Sequence, residues 1–324
     1  MVGERAAATE TPKSLPAGGP AVSSARNAAL FLALGLCWGA SFPAIEVGLT
    51  ELDPLLLGAY RFDVGALVAL AYVGWRSAEP LPNTRGDVAA VAVAGLLFVV
   101  ANITFLAYGQ RYTTGGIASI VYSLNPILTT FFTVRLLGEG SLDLRGYVGV
   151  VLGVAGIALV AQPSPRNLAG DTTIGVSFVF VAAVAVSFGS VAIRWLDPES
   201  EALPRTAWGM ALGAAVLHVG SLAVGEPQAV PAALSTDVVA ALAFLGVFSS
   251  AVGYAIYFGL LDALGPFEIN LVSYVVPVVA TLLGALLLAE PVTPLTVLGF
   301  VAVVVGFGLV KREAIRRELR ARPR

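Results

Sequence analysis

Between Val88 and Val100 no side chain carries a charge or a hydrogen-bonding group, and nine other stretches of the chain come close to that condition. A helix rises ~1.5 Å per residue, so about 20 apolar residues cross the roughly 30 Å hydrocarbon core of a bilayer. In lipid every backbone N–H and C=O must find its partner inside the protein, which leaves only helical bundles and closed barrels. A barrel needs segments of about ten residues with alternating polarity, and an unbroken apolar run alternates nothing. The chain therefore reads as an all-α integral membrane protein. Its ten transmembrane helices are expected at 27–49, 55–75, 87–109, 115–137, 144–162, 173–196, 206–225, 237–261, 267–289 and 293–310. Composition agrees: 324 residues, 57% hydrophobic and 12% charged, leave too little polar surface to coat a water-soluble globule.

Basic residues are retained on the cytoplasmic side of a membrane, so their positions set the orientation. With the N-terminus inside, sixteen of the 19 face the cytoplasm, from Arg5, Lys13 and Arg26 through three loops to the seven between Lys311 and Arg324. Arg111 and Arg166 fall outside, and Arg61 lies within the membrane. An odd number of spans would separate the basic arm from the basic tail. The expectation is a multi-pass protein of the cell membrane with both termini cytoplasmic. Residues 1–26, rich in Ala, Pro, Gly, Ser and Thr, read as a disordered cytoplasmic arm, and 311–324 as a basic cytoplasmic tail that contacts anionic lipid. The net charge of −2 gives no ground for a nucleic-acid partner, and a single cysteine, Cys37, excludes an intrachain disulfide and a cysteine-based metal centre.

The fourth span carries Ser119, Tyr122, Ser123, Pro126, Thr130 and Thr133, and the ninth repeats that spacing 151 positions later with Asn270, Ser273, Tyr274, Pro277, Thr281 and Gly284. Steps of three and four residues return to one side of a helix, so each rod bears a narrow polar stripe. Other matches follow: Trp38-Gly39-Ala40 with Phe188-Gly189-Ser190, Pro54 with Pro204, and Leu136-Leu137-Gly138-Glu139 with Leu287-Leu288-Ala289-Glu290. The chain divides into a first five-helix repeat, 27–162, and a second, 173–310. Five is odd, so the second copy enters the membrane from the opposite side. Two inverted five-helix repeats related by a two-fold axis in the membrane plane enclose a central site and can open to either side in turn.

These residues, with Arg61-Phe62 in the second span, resemble the drug/metabolite transporter superfamily, specifically its ten-helix members with two EamA-type repeats. The resemblance covers roughly residues 27–310. It implies a secondary transporter, commonly an exporter of amino acids, metabolites or toxic compounds, with a central cavity and no cofactor. A small-molecule substrate and the lipid bilayer are the implied partners, and a monomer suffices for such an architecture.

Ser119, Tyr122, Ser123, Asn270, Ser273 and Tyr274 are the leading substrate contacts, because hydroxyl and amide groups can bind solute without burying charge. Hydrogen bonding between helices is the alternative for each. Asn102, Tyr254 and Tyr257 add polar and aromatic wall, and Trp38 and Phe188, at matched positions, are expected to face each other across the cavity; ordinary aromatic packing is the competing reading. Asn125 falls off the stripe and is expected between helices. Pro126 and Pro277 each free a carbonyl four residues back and offer a hinge.

Intramembrane charge is the sharper signal, since it costs about 2.5–3.5 kcal/mol at the membrane centre. Glu46 and Arg61 lie at similar depth and are expected to pair, as a gate or a substrate anchor. Glu46 can also exchange protons during transport. Asp63 is expected to form a structural tie and His218 to pack in the core, while Glu139 and Glu290 are expected to be solvated helix-end residues. The chain has no phosphate-binding GxxxxGK[ST] loop and no HExxH, and its lone histidine cannot build a metal centre. Pumping by ATP and metal-dependent intramembrane catalysis are disfavoured. A passive facilitator or channel remains the alternative, and an intramembrane enzyme a lesser one.

Overall fold

The computed structural model describes residues 20–77, 79–139, 142–161 and 170–312. Ten membrane-length or near-membrane-length helices make up the bundle: α1 Ala25–Gly48, α2 Pro54–Arg76, α3 Arg85–Gln110, α4 Gly115–Leu137, α5 Leu144–Ala161, α6 Asp171–Leu196, α7 Ala202–Val224, α8 Thr236–Leu264, α9 Glu268–Leu287 and α10 Pro294–Val310. The first nine are long and apolar enough to cross a bilayer; α10, at 17 residues, is a shorter apolar helix. Every expected span is present, with ends displaced by at most four residues. One boundary needs correcting. Helix begins at Pro20, so residues 20–26 of the expected arm are helical. Proline suits a helix N-terminus because its missing N–H has no partner there, and adding turns to an existing helix is cheap. Residues 1–19 of the arm and 313–324 of the tail lie outside the described residues.

The packing obeys the repeat. Helices α2 and α7, α4 and α9, and α5 and α10, which are mates in the two copies, pack directly on each other. The contact of α3 with α6 has its mate in α8 with α1, and that of α3 with α7 in α8 with α2. Backbone detail repeats as well: α3 is π-helical over Ala94–Ala101 and α8 over Phe244–Val252. The turns that follow α4 and α9 hold Gly138 at φ 67° and its mate Ala289 at φ 55°.

Glycine pairs join α5 and α10. A Cβ on Gly149 would sit 2.5 Å from the Gly306 carbonyl oxygen, and one on Gly156 would sit 2.6 Å from that of Gly299. Such close approach replaces the missing hydrophobic drive between helices in lipid with van der Waals contact.

Three helices are interrupted. α1 bends at Ala40, between segments Pro20–Gly39 and Ser41–Gly48. α4 breaks at Ser123 and Leu124, where Ser123 N–H and Leu124 N–H bond three residues back to Ile120 and Val121. Pro43 and Pro126 follow these breaks within three residues and deny the bond that would bridge them. In α9 the break falls at Leu271, and Pro277 sits inside the continuing helix Val272–Leu287. The expected hinge is thus at hand for Pro126; in the second repeat the interruption lies six residues before Pro277.

Candidate functional site

A cavity of about 380 Å³ lies between the two repeats. The interrupted and π-helical segments build much of its wall, which explains why polar backbone is tolerated at this depth: irregular helix is stable in a membrane where it lines a cavity. The described lining residues include Trp38, Arg61, Asn102, Ser119, Tyr122, Ser123, Pro126, Tyr254, Tyr257, Asn270 and Ser273. Eleven of the expected site positions therefore converge on one space.

Its aromatic side is a cluster around Trp38, whose ring lies 5.7 Å from Tyr254 and 5.4 Å from Tyr257. The indole N–H donates to the Ser249 carbonyl oxygen at 3.1 Å, within the π-helical stretch of α8. Across the cavity the Tyr122 hydroxyl donates to Asn102 Oδ1 at 2.9 Å. Ser119 and Ser123 spend their hydroxyls locally, donating to the carbonyls of Gly116 at 2.7 Å and Ile120 at 2.6 Å.

Arg61 carries the charge. Its Nε donates to Ser250 Oγ at 3.1 Å and its Nη2 to Ser249 Oγ at 3.2 Å, and the guanidinium lies 5.1 Å from the Phe62 ring centroid. Its hydrogen-bond partners are neutral hydroxyls. Among the described residues the cavity wall holds a second cation, Arg205, and no aspartate or glutamate. An unpaired guanidinium in so enclosed a place is costly unless an anion joins it.

Four expectations fail. Glu46 does not meet Arg61; it accepts from the Gly115 backbone N–H at the start of α4. Phe188 does not face Trp38, because α6 runs unbroken where α1 bends; its ring is 42% exposed and packs edge-on against Phe132 at 5.9 Å. Tyr274 turns toward α10, with its ring 4.8 Å from Phe307 and its hydroxyl buried without a partner. Pro277 is buried in α9 away from the cavity.

Other positions were misjudged or missed. Asn125 lines the cavity and also accepts from the Ser187 hydroxyl of α6. Phe98, Ser190, Thr206 and Met210 join the wall, and no polar stripe of their own marks them. Asp63 and His218 tie α2 to α7, with His218 Nε2 2.7 Å from Asp63 Oδ2, so the histidine is paired and only part-buried. Glu139 is solvated, as expected of a helix end, and forms an ion pair with Arg194. Glu290, its mate, instead accepts from the N–H groups of Gly115 and Gly116, each at 3.1 Å.

The two ends of the cavity differ. Toward Glu290 the lining residues Ser41, Phe42, Leu106 and Ser119 are buried. Toward Glu139 the lining residues Ile193, Arg205, Tyr257, Leu261 and Asn270 are all part-exposed. The cavity is closed at the first end and opens toward the second. Loops brace the closed end: Glu226 accepts from the N–H groups of Leu55 and Leu56 at 3.1 and 2.9 Å, capping α2, and Arg111 pairs with Asp53. Glu51 accepts from Ser235, whose hydroxyl and backbone N–H hold that carboxyl below the usual glutamate range.

A helical membrane bundle whose two halves enclose a solute-sized cavity, closed at one end, is a membrane transport protein. The model of the EamA-like transporter family matches residues 26–162 and again 173–312, once per repeat, and the chain belongs to that family. Relatives agree. The inner membrane transporter YedA of Escherichia coli K12 is 29% identical, over 87% of this chain and 89% of its own. The transporter YoaV of Bacillus subtilis is 25% identical over 85% and 93%. A WAT1-related chloroplastic protein of Arabidopsis thaliana is 27% identical over 84% of this chain and 66% of that protein. A solved crystal structure, 20% identical, superposes with a TM-score of 0.63 over 91% of this chain and 99% of its own, a likeness of fold.

Proposed function

We propose that the chain is a secondary transporter that moves a small organic acid, an amino acid or another amphipathic metabolite, by alternating access through the cavity between its repeats. The observation that carries this reading is Arg61, a cation held by two serine hydroxyls on a wall with no acidic side chain. A substrate carboxylate beside it supplies the missing charge. The rings of Trp38, Tyr254 and Tyr257 suit an apolar or aromatic body. Closure at one end favours a carrier over an open channel, since a channel needs both ends continuous in its conducting state.

The end toward which the cavity opens carries Arg76, Arg85, Arg135, Arg145, Arg194 and Arg205, the bias of a cytoplasmic face. On this reading the described state faces inward, both termini are cytoplasmic, and the bundle sits in the cell membrane. Export is the direction implied by the resemblance to drug/metabolite transporters.

The test is counterflow in proteoliposomes. Vesicles loaded with unlabelled candidate, chosen by a thermal-shift screen of amino acids, aromatic acids and cationic drugs, should take up labelled candidate transiently and saturably. Stabilisation by organic cations with none by acids would reject the proposed substrate class. Unsaturable flux with conductance would replace the carrier with a channel.

A further inference from the structure

At the closed end, two acidic side chains from different repeats meet on one backbone N–H. Glu46, from α1, and Glu290, from the turn after α9, both accept from Gly115 N–H, and Glu290 also accepts from Gly116 N–H. Held on the same N–H, the two carboxyl groups are immediate neighbours. Glycine at both positions makes this possible: a Cβ on Gly115 would stand 3.0 Å from Glu46 Oε1, and one on Gly116 3.1 Å from Glu290 Oε2.

Two carboxylates in contact repel strongly away from bulk water, and one proton between them turns that repulsion into a charge-assisted hydrogen bond. The two N–H groups and the positive end of the α4 dipole compensate the one remaining negative charge. A metal ion fits poorly where backbone N–H groups point in.

A further polar group is buried at this end. Gln110, at the end of α3, is 6% exposed; its Nε2 donates to the Phe42 carbonyl at 3.0 Å, while its Oε1 is buried without a partner.

Among the described residues, the surrounding elements bring no basic group to the pair. From α3, Arg111 is engaged by Asp53 of the α1–α2 loop; from the same loop Glu51 is held by Ser235; α4 offers Thr114 and α9 offers Thr281 and Gly284, all uncharged. On α8, Asp237 is exposed to solvent.

We infer that Glu46 and Glu290 form a proton-binding site that bridges the two repeats and latches this end of the cavity shut. Opening the end parts the carboxyls and lets each ionise in water, so closure takes up one proton from that side. By linkage, a higher pH there favours opening, by up to about tenfold per pH unit. The opposite end lacks the device: the mate of Glu290 is Glu139, which meets Arg194, a permanent cation.

The proton site stands independently of what is transported; the gating role rests on alternating access. Infrared pH titration of the purified full-length protein, with no substrate added, separates the two. One carboxylic-acid carbonyl band should persist at pH 7 and vanish in alkali. Glu46→Gln and Glu290→Gln should each abolish it, and the double variant should lose no more than either alone. Gln110→Leu, which leaves both carboxyls in place, should keep the band, which guards against misfolding of the acid variants. If no band disappears with either Gln substitution, the shared proton is refuted. If the band behaves as expected but pH leaves labelling of a cysteine at Ser119, in a Cys37→Ser background, unchanged relative to Glu290→Gln at matched pH, the site stands and the gate falls.

Discussion

Replacing Arg61 with methionine should move affinity and stability in opposite directions. The guanidinium spends Nε and one Nη2 hydrogen on Ser250 and Ser249, which leaves Nη1 and the second Nη2 hydrogen for a ligand. A hydrogen bond to a charged group contributes about 1.5–3 kcal/mol net. At 1.4 kcal/mol per factor of ten, Arg61→Met should weaken binding of an acid roughly 10- to 140-fold. Stability should follow the other sign. Without ligand the cation pays for its desolvation against neutral partners, and a methionine of similar reach does not. Ser250 keeps its own bond to the Leu245 carbonyl at 2.9 Å, so only Ser249 loses a partner. The ligand-free variant should melt no lower than the parent.

The assay is a thermodynamic cycle. Binding of a carboxylate solute and of its neutral amide is measured by calorimetry to the parent and to Arg61→Met in detergent or nanodiscs. The carboxylate should be favoured by the parent and not by the variant, with a coupling of at least about 1.5 kcal/mol. Arg61→Lys, which keeps the charge without the planar fork, should fall between them. A coupling near zero would refute the anchor, even if both proteins bind the acid well.

Gly156→Ala sets a Cβ against the Gly299 carbonyl oxygen at 2.6 Å, a backbone atom that cannot turn aside, and should cost about 1–3 kcal/mol in unfolding experiments; no loss would mean that α5 and α10 separate freely. Tyr274→Phe removes a buried hydroxyl with no partner, so it should be neutral or stabilise by up to about 1 kcal/mol with binding unchanged, and a large loss of binding would return Tyr274 to the cavity. Ala289→Gly relieves a left-handed φ of 55° and should stabilise by about 1 kcal/mol, read as a raised unfolding midpoint. The depressed carboxyl of Glu51 gives stability that is full above the unfolded glutamate pKa and lost as pH falls through the lower folded value. Glu51→Gln should therefore flatten the acid limb of the pH–stability curve while leaving the neutral region nearly unchanged.

The bundle was legible because lipid leaves a chain few choices. Ten apolar runs must become helices, and short loops must make neighbours antiparallel. The 151-residue echo then assigned mates, and α4 with α9 and α5 with α10 do pack together. The cavity was legible where a stripe coincided with an interrupted helix: Ser119, Tyr122, Ser123 and Pro126 on α4, Asn270 and Ser273 on α9.

The failures share one cause. Repeat arithmetic equates positions, but a side chain's direction depends on the helix phase, and the copies interrupt their helices at different places. α1 bends at Ala40, two residues past Trp38, while α6 passes Phe188 without a break, so equivalent rings point to different surroundings. The same holds for Tyr274, which follows the α9 interruption at Leu271 and turns to α10, whereas Ser123 sits within the α4 interruption and faces the cavity. Glu46 and Glu290 are 244 positions apart with no shared motif. Only the paired glycines at the start of α4 hint that something must approach that backbone closely.

The two repeats make the unequal ends informative. If the two copies exchanged conformations, Glu139 would move onto the N-terminus of α9, as Glu290 now sits on that of α4, and Glu290 would swing into solvent. Glu139 must first leave Arg194, an exposed pair worth about 0–1 kcal/mol, whereas Glu290 must abandon two N–H groups and Glu46. The ledger of contacts is lopsided in favour of the described state. A ligand on the Arg61 wall shifts the balance only as far as it binds the other state more tightly. Without that difference, Glu290→Ala, which removes the acceptors and the partner of Glu46, should populate the opposite opening by itself, whereas Arg194→Gln should leave the closed end closed.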